Sequence, residues 1–290
     1  MSAMVTPFDA AGRLDLDAAR RLARWLTAEG GNDGLVVAGT TGEASSLTDD
    51  EWRDLVRAVS EAVTVPVLAG TGSPGTAQTV ALTREAAGLG AAGVLVVSPA
   101  YVRPPQAGIE AHYRAVAEAT SLPVMIYDVP LRTGRRIDAG VLLRLLREVP
   151  NVVAFKDATG DVAGAAALLA EAGDAVDLYA GDDALALPLL AIGAVGLVGT
   201  TTHWTGPWFQ QLAAALDAGD LPQARRLHAR LQPSFAYVNS DTSVFAMSVK
   251  AMLAAIGLPV GTCRLPYPPA PASVSVQAGE VWAGLRQASG

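Results

Sequence analysis

The sequence predicts an α/β fold: a (β/α)8 TIM barrel of eight parallel strands with a C-terminal helical appendage. Eight short apolar runs rich in β-branched residues recur along the chain, and consecutive runs start 19 to 31 residues apart. The segments between them place apolar residues at helical spacing, as in 16–28 and 51–62. Runs that are apolar on both faces and alternate with helices indicate a parallel sheet covered by helices. Eight such repeats favour a barrel over an open doubly wound sheet.

The elements follow in order along the chain. The predicted strands are 3–6, 34–38, 65–69, 93–97, 122–127, 152–155, 176–180 and 195–198. Capping residues such as Thr48 and Asp138 introduce helices between them. After the eighth strand the pattern is helical only, with helices predicted at 207–218, 221–238, 242–256 and 274–287. We therefore divide the chain into a barrel core, 1–206, and a last barrel helix with its extension, 207–290.

Composition limits the classes of function. The chain has 290 residues, of which 51% are hydrophobic and 17% charged, so it can bury a large core and is not expected to be disordered. Its net charge of −7, with no run of Lys or Arg longer than a pair, argues against a nucleic-acid partner. The single cysteine, Cys263, excludes an intramolecular disulfide and a cysteine-based zinc site. The three histidines show no metal-ligand spacing, so no metal is expected.

Location is inferred from two segments. Residues 1–12 lack a basic region followed by an apolar stretch, so we expect no signal peptide and a cytoplasmic protein. Residues 184–216 contain no Asp, Glu, Lys or Arg, but Pro188, Gly193 and a polar run interrupt them. A buried helix, a turn and a buried strand explain this segment better than a bilayer helix, so no membrane partner is expected.

The residue that stands out chemically is Lys156. In a barrel of this kind the reacting groups lie where strands end and loops begin. The chain has only two lysines, and Lys156 directly follows the apolar run 152–155. Desolvation there lowers the pKa of the amine and produces the free base that attacks a ketone. The alternative is a buried lysine paired with Asp157 or Asp182. The other lysine, Lys250, is predicted to be a snorkelling residue at an interface of the appendage.

Two further residues can act beside this amine. Tyr127 ends the preceding strand, and because neighbouring strands lie about 5 Å apart its phenol can reach an imine on the lysine and pass a proton. The alternative is a core tyrosine with a satisfied hydroxyl. Arg132 lies in the loop that follows, where its planar fork suits a substrate carboxylate. A solvated loop arginine is the alternative.

Two glycine-containing turns follow predicted strands. Residues 39–43 follow a buried strand, and the hydroxyls of Thr40 and Thr41, with backbone N–H groups freed by flanking glycines, can hold a small carboxylate. Residues 70–75 match the glycine pattern of a dinucleotide-binding turn, but the acidic residue expected about twenty positions later is missing. We interpret 70–75 as a turn and expect no such cofactor.

At these residues the chain closely resembles the dihydrodipicolinate synthase family, within the N-acetylneuraminate lyase superfamily of Schiff-base barrels. The resemblance covers nearly the whole chain. The segments that carry it, in order, are 6–8, 39–43, 101–108, 127–132, 156–160, 181–183 and 264–266.

The resemblance implies a mechanism. Lys156 forms a Schiff base with pyruvate, and no other cofactor and no metal is needed. Tyr127, Thr40 and Tyr101 form a proton relay, in which Tyr101 reaches the site of a neighbouring subunit across a tight dimer. Family members are commonly homotetramers built as dimers of dimers, so the chain is expected to be a homo-oligomer.

The resemblance also implies the substrates. Thr41 holds the carboxylate of pyruvate, Arg132 binds that of aspartate semialdehyde, and Gly181 belongs to the substrate-binding set. The product is 4-hydroxy-tetrahydrodipicolinate, on the route to diaminopimelate and lysine. Arg132 fits the synthase pattern better than that of the sugar-acid lyases. A lyase acting on N-acetylneuraminate or a 2-keto-3-deoxy sugar acid is the alternative, and a non-catalytic sensor of an oxo acid is a third hypothesis.

The sequence departs from the family at several positions. Ala100 and Val102 replace an aromatic residue and an Asn beside Tyr101, and residues 199–204 differ from the usual segment, which leaves room for another aldehyde. In lysine-inhibited relatives an interface pocket is lined by His, Asn, Glu and Tyr. The positions that correspond here are Asp49, Trp52, Pro74, Gln78 and Ala100. We therefore predict weak or absent feedback inhibition by lysine.

Overall fold

The computed structural model describes residues 1–238, 240 and 243–287. Within these residues the strands are β1 (Ser2–Ala3), β2 (Leu35–Val37), β3 (Val67–Gly70), β4 (Gly93–Val97), β5 (Val124–Asp128), β6 (Val152–Asp157), β7 (Asp177–Ala180) and β8 (Gly196–Leu197). The helices are α1 (Leu16–Ala28), α2 (Asp49–Ser60), α3 (Thr76–Ala86), α4 (Gln106–Glu118), α5 (Pro130–Thr133), α6 (Ala139–Glu148), α7 (Val162–Ala172), α8 (Ala186–Ala191), α9 (Thr202–Asp217), α10 (Leu221–Val238), α11 (Phe245–Ala255) and α12 (Ala272–Gln287).

The strands belong to one parallel sheet in the order β1 to β8, with helices between them and helices only after α9 begins. This succession confirms the predicted (β/α)8 class with a C-terminal helical extension. The chain divides into two compact units. The first unit comprises Met1–Val65 and the chain from Gly199 onwards, and the second unit is Pro66–Val198.

The second unit holds β3 to β8 as a continuous parallel ladder. Strand β6 runs two residues past its predicted end. Lys156 and Asp157 are still paired with residues of both neighbouring strands, so backbone hydrogen bonding continues where the side chains become polar. Lys156 therefore lies within the paired part of β6 and not in the loop after it.

In the first unit, a buried histidine fixes the start of the chain to the segment after β8. The ring of His203 accepts a hydrogen bond from the Val5 N–H at Nε2 (3.1 Å), and its Nδ1 lies 2.7 Å from the carbonyl oxygen of Thr200. Burial lowers the pKa of His203 to about 4, so the ring is neutral at pH 7. Nδ1 must then carry the hydrogen that Thr200 accepts, which leaves one tautomer.

The starts of two helices after β8 are among the predicted boundaries that differ from the structure. Helix α9 begins at Thr202, not at Pro207, because its first turn is buried and packs through Trp204, whose Nε1 donates to Ser234 Oγ (3.0 Å). Pro207 therefore lies inside the helix, and α9 crosses the predicted domain boundary at 206. The predicted helix 242–256 is observed as α11 from Phe245, and Thr242 lies outside the described residues.

Two other predictions are confirmed. Thr48 caps α2, with its hydroxyl accepting from the Glu51 N–H and the Glu51 carboxylate accepting from the Thr48 N–H. The uncharged segment 184–216 forms α8, a turn, β8 and most of α9. Among the described residues, no helix has the length and apolar character needed to cross a bilayer.

The contact between α9 and the end of α1 gives a test of packing. A methyl group on Gly206 would overlap the carbonyl oxygen of Gly30, which already accepts a hydrogen bond from Asn32. We expect Gly206→Ala to lower the free energy of unfolding by about 1–3 kcal/mol, the usual effect of overpacking. Gly279→Ala on α12 is the control, because the added methyl meets no atom and should stabilise by up to about 1 kcal/mol. Urea unfolding measures both, and equal stabilities would contradict the packing described here.

Candidate active site

The structure brings Lys156 and Tyr127 together at the carboxyl ends of two neighbouring strands. The two residues are directly paired in the β5–β6 register, and Lys156 Nζ lies 4.3 Å from the centre of the Tyr127 ring. Both side chains are buried, with 5% and 6% of their surface exposed. The amine therefore projects into a largely dehydrated space against an aromatic face.

This burial sets the protonation of the amine. Desolvation is the largest influence and lowers the pKa of Lys156 to about 8, against an ordinary value of 10.5. The Asp183 carboxylate opposes the change, and the Arg132 guanidinium adds to it. About a tenth of a lysine with that pKa is uncharged at pH 7, several hundred times more than for an exposed lysine.

The charged neighbours of Lys156 differ from those considered from the sequence. Asp157 and Asp182 accept hydrogen bonds from nearby backbone N–H groups, of Thr159 and Ala184 respectively. The carboxylate that acts on the amine is Asp183, one residue further along, which sequence reasoning missed. A doublet of acidic residues after β7 does not reveal which member faces the lysine.

Arg132 and Tyr101 lie at exposed positions of the second unit that follow strands β5 and β4. Arg132 is in α5, the single turn that follows β5, and its side chain is exposed. Tyr101 follows β4, is 93% exposed, and has a left-handed backbone with φ of 70°. Left-handed backbone is costly for a residue other than glycine and often marks functional positions.

Gly181 occupies a close approach between β7 and β6. Its N–H donates to the Asp157 carbonyl oxygen (2.7 Å), and a Cβ at this position would lie 2.9 Å from both that oxygen and the Ala158 Cβ. A side chain there would push the two strand ends apart. Because Gly181 has no side chain, its backbone and that of Asp157 can lie in contact at this end of the sheet.

Thr40 and Thr41 lie in the first unit, in the loop after β2. Thr41 is buried, and its Oγ1 lies 3.4 Å from the Oγ1 of Thr200. Thr40 is partly exposed. The remaining predicted site residues, Lys156, Tyr127, Arg132, Tyr101 and Gly181, all belong to the second unit.

A pair of acidic residues lies on the opposite face of β5 and β6. Asp128 and Asp157 are paired in register, one position beyond Tyr127 and Lys156, and Asp128 is 1% exposed. Its Oδ2 accepts from the Ile137 N–H, and among the described residues its Oδ1 has no hydrogen-bond partner. Burial, with a smaller effect of Asp157, raises the pKa of Asp128 to about 7. Sequence reasoning missed this pair. The available signal was that an Asp directly follows both Tyr127 and Lys156.

The prediction for Lys250 was wrong. Its side chain does not snorkel to water: it is 4% exposed, and Nζ donates to Glu43 Oε1 at 2.6 Å. The partner is 207 positions away in the chain, so no local pattern indicated it.

In the part of the chain that the structure describes, no three His, Cys, Asp or Glu side chains form a group that could hold a metal ion.

Comparison with known proteins gives consistent matches along the chain. The model of the Dihydrodipicolinate synthetase family matches residues 1–280. The 4-hydroxy-tetrahydrodipicolinate synthase of Moorella thermoacetica is 46% identical over 92% of this chain and 90% of its own.

Solved structures agree with this match. Dihydrodipicolinate synthase from Cyanidioschyzon merolae, with lysine bound, has a TM-score of 0.94 and 38% identity, and covers 98% of this chain and 97% of its own. The chloride-inhibited enzyme from Acinetobacter baumannii, complexed with pyruvate, has a TM-score of 0.92 and 32% identity over the same shares.

The electrostatics of Lys156 can be tested without substrate. Acylation of the amine by an amine-selective reagent, followed at each pH by peptide mass mapping, should increase with pH and reach half its maximum near pH 8, because only the free base reacts. Arg132→Leu removes a positive charge that disfavours the ammonium, so its midpoint should move to higher pH. Arg84→Leu, on α3, is the control and should leave the midpoint unchanged. A midpoint at that of an ordinary exposed lysine would show that the amine is solvated.

Proposed function

Because the chain belongs to the dihydrodipicolinate synthetase family, we propose that it condenses pyruvate with L-aspartate 4-semialdehyde to give 4-hydroxy-tetrahydrodipicolinate, on the route to diaminopimelate and lysine. The protein is an enzyme of the dihydrodipicolinate synthase type. The relatives that match it carry the synthase name, which favours this reaction over a lyase for N-acetylneuraminate or another sugar acid. The observation that carries the chemistry is the buried amine of Lys156 against Tyr127.

The first step is the attack of Lys156 Nζ on the keto carbon of pyruvate. The nitrogen–carbon bond forms as the carbonyl oxygen takes up a proton, and the resulting carbinolamine loses water to leave an imine. Loss of a methyl proton then gives an enamine, whose carbon attacks the aldehyde carbon of the semialdehyde. The aldehyde oxygen takes up a proton and becomes the 4-hydroxyl group, while the imine is restored. The semialdehyde amine closes the ring on the imine carbon and releases the lysine.

These steps need a group that moves protons without carrying charge. Tyr127 fits because its ring lies against Lys156 Nζ and a phenol can donate and recover a proton at neutral pH. In the proposed relay Thr40 takes the proton next, and Tyr101 of a neighbouring subunit completes the path to solvent. The 93% exposure of Tyr101 within its own chain supports a role toward a second copy.

The remaining roles concern the substrate carboxylates. Thr41 is proposed to hold that of pyruvate through its hydroxyl, and Arg132 that of aspartate semialdehyde through its guanidinium. Gly181 is proposed to present backbone to the substrate. We also propose a homo-oligomer, a tight dimer assembled into a tetramer, that works in the cytoplasm without a nucleic-acid or membrane partner.

Reductive trapping tests this function. Borohydride reduction in the presence of pyruvate should fix one pyruvate-derived adduct on the peptide that contains Lys156 and none on the peptide that contains Lys250, because the Lys250 amine is held by Glu43. Lys156→Met should abolish both trapping and turnover. An assay with aspartate semialdehyde and with N-acetylneuraminate separates the two reactions. Absence of the adduct would refute the imine, and exclusive use of the sugar acid would refute the synthase.

Weak feedback inhibition by lysine is a second expectation. Trp52, at one of the positions where lysine-inhibited relatives bind the effector, is buried in the core, and Gln78 accepts a hydrogen bond from Ser73 Oγ (2.7 Å). Pro74 and Ala100 provide no polar side chain. Sub-millimolar lysine should therefore leave initial rates unchanged, and half-maximal inhibition in that range would overturn this prediction.

A further inference from the structure

The loop that carries Thr40 and Thr41 is held between two strained residues. Ala38, before the loop, and Glu43, at its end, both have φ of 54°. This left-handed region is unfavourable for residues other than glycine, and such conformations persist only where the surroundings impose them. Something outside the loop must therefore hold Glu43.

The carboxylate of Glu43 is held on both oxygens. Oε1 accepts from Lys250 Nζ (2.6 Å), and Oε2 accepts from the Arg264 backbone N–H (2.9 Å). Lys250 Nζ also donates to the Thr262 carbonyl oxygen (3.0 Å) and lies 4.4 Å from the centre of the Phe8 ring. These contacts connect the end of the loop to α11 and to the segment after it.

Neighbouring groups fix the same segment from other sides. Thr6 Oγ1 donates to the Gly42 carbonyl oxygen (2.5 Å), and a Cβ on Gly42 would lie 2.9 Å from the Met4 carbonyl oxygen. The Arg264 guanidinium pairs with Glu51 and donates to the Ser46 carbonyl oxygen (2.8 Å). These contacts leave the loop little conformational freedom. A change in its conformation would have to come through a change at the side chain of Glu43.

Stability alone does not account for this ion pair. Glu43 and Lys250 are 2% and 4% exposed, so both charges lose their hydration. The cost of removing two ions from water often equals or exceeds their attraction, and apolar replacements can be neutral or stabilising. What the ion pair adds is a single orientation of the Glu43 side chain, because its carboxylate must point at the Lys250 ammonium.

We propose that Glu43 and Lys250 are positioning residues that hold the loop of Thr40 and Thr41 in the conformation that receives the carboxylate of pyruvate. The inference rests on the proposed function and extends it to α11 of the C-terminal extension. Lys250 touches no substrate in this scheme. It acts through Glu43, whose left-handed backbone sets the direction of the two hydroxyl-bearing residues before it.

The test compares the wild type with Lys250→Met and with Glu43→Gln/Lys250→Met, varying pyruvate and aspartate semialdehyde separately. The double variant leaves no unpaired buried ion, so we expect it to melt within a few degrees of the wild type. Both variants should raise KM for pyruvate by about tenfold or more, since a small displacement of a binding group is costly. KM for the semialdehyde should change less than about threefold, because Arg132 is unaffected.

Two further variants sharpen the comparison. Lys250→Arg keeps the cation, so its KM for pyruvate should lie below that of Lys250→Met. Arg114→Met, which breaks ion pairs with Glu110 and Glu148 on α4 and α6, is the control and should leave both KM values unchanged.

Three results would overturn the proposal: a double variant with the wild-type KM for pyruvate, a parallel rise of both KM values, or a KM for Lys250→Arg above that of Lys250→Met. Borohydride trapping of pyruvate by the wild type, measured alongside, separates this failure from failure of the proposed function. Normal trapping with an unchanged KM in the variants contradicts the positioning role alone.

Discussion

The desolvation of one amine is the constraint on which the rest of this structure depends. Strand β6 carries Lys156 to the end of a buried sheet, where its Nζ faces the ring of Tyr127 and little water. Burial is the largest influence that lowers the pKa of Lys156, Arg132 lowers it further, and Asp183 raises it. The balance leaves an amine that is partly uncharged near neutral pH, which is the property that the proposed carbonyl chemistry requires.

The two lysines show how the same burial produces different outcomes. Lys250 is as buried as Lys156, but a carboxylate oxygen lies 2.6 Å from its Nζ and a backbone carbonyl accepts a second hydrogen bond. Burial lowers the pKa of Lys250 as it does that of Lys156. Each amine also lies over an aromatic ring, Lys250 over Phe8 and Lys156 over Tyr127, so the hydrogen bond to Glu43, and not the ring, sets Lys250 apart. A chain that otherwise uses arginine thus has one lysine in a buried ion pair and one as the proposed nucleophile.

Local patterns predicted the fold well and the electrostatics less well. The apolar runs predicted the position of every strand, and the predicted run 93–97 matches β4 at both ends. A strand pattern can be recognised from the sequence because it depends on residues that are adjacent in the chain. The extension of β6 through Lys156 and the burial of the first turn of α9 depended on tertiary contacts that outweigh side-chain polarity. Asp183, Asp128 and the pairing of Glu43 with Lys250 depend on which atoms face each other across the fold, and residue spacing does not encode that.

The central claim is that the Lys156 amine is free to bond covalently to a keto acid. A crystal structure of the protein soaked in pyruvate tests it most directly. Continuous electron density between Lys156 Nζ and the keto carbon, with the phenol of Tyr127 beside the new bond, is the result that this account predicts. Density for unattached pyruvate, with Nζ held in an ion pair to Asp183, would contradict it.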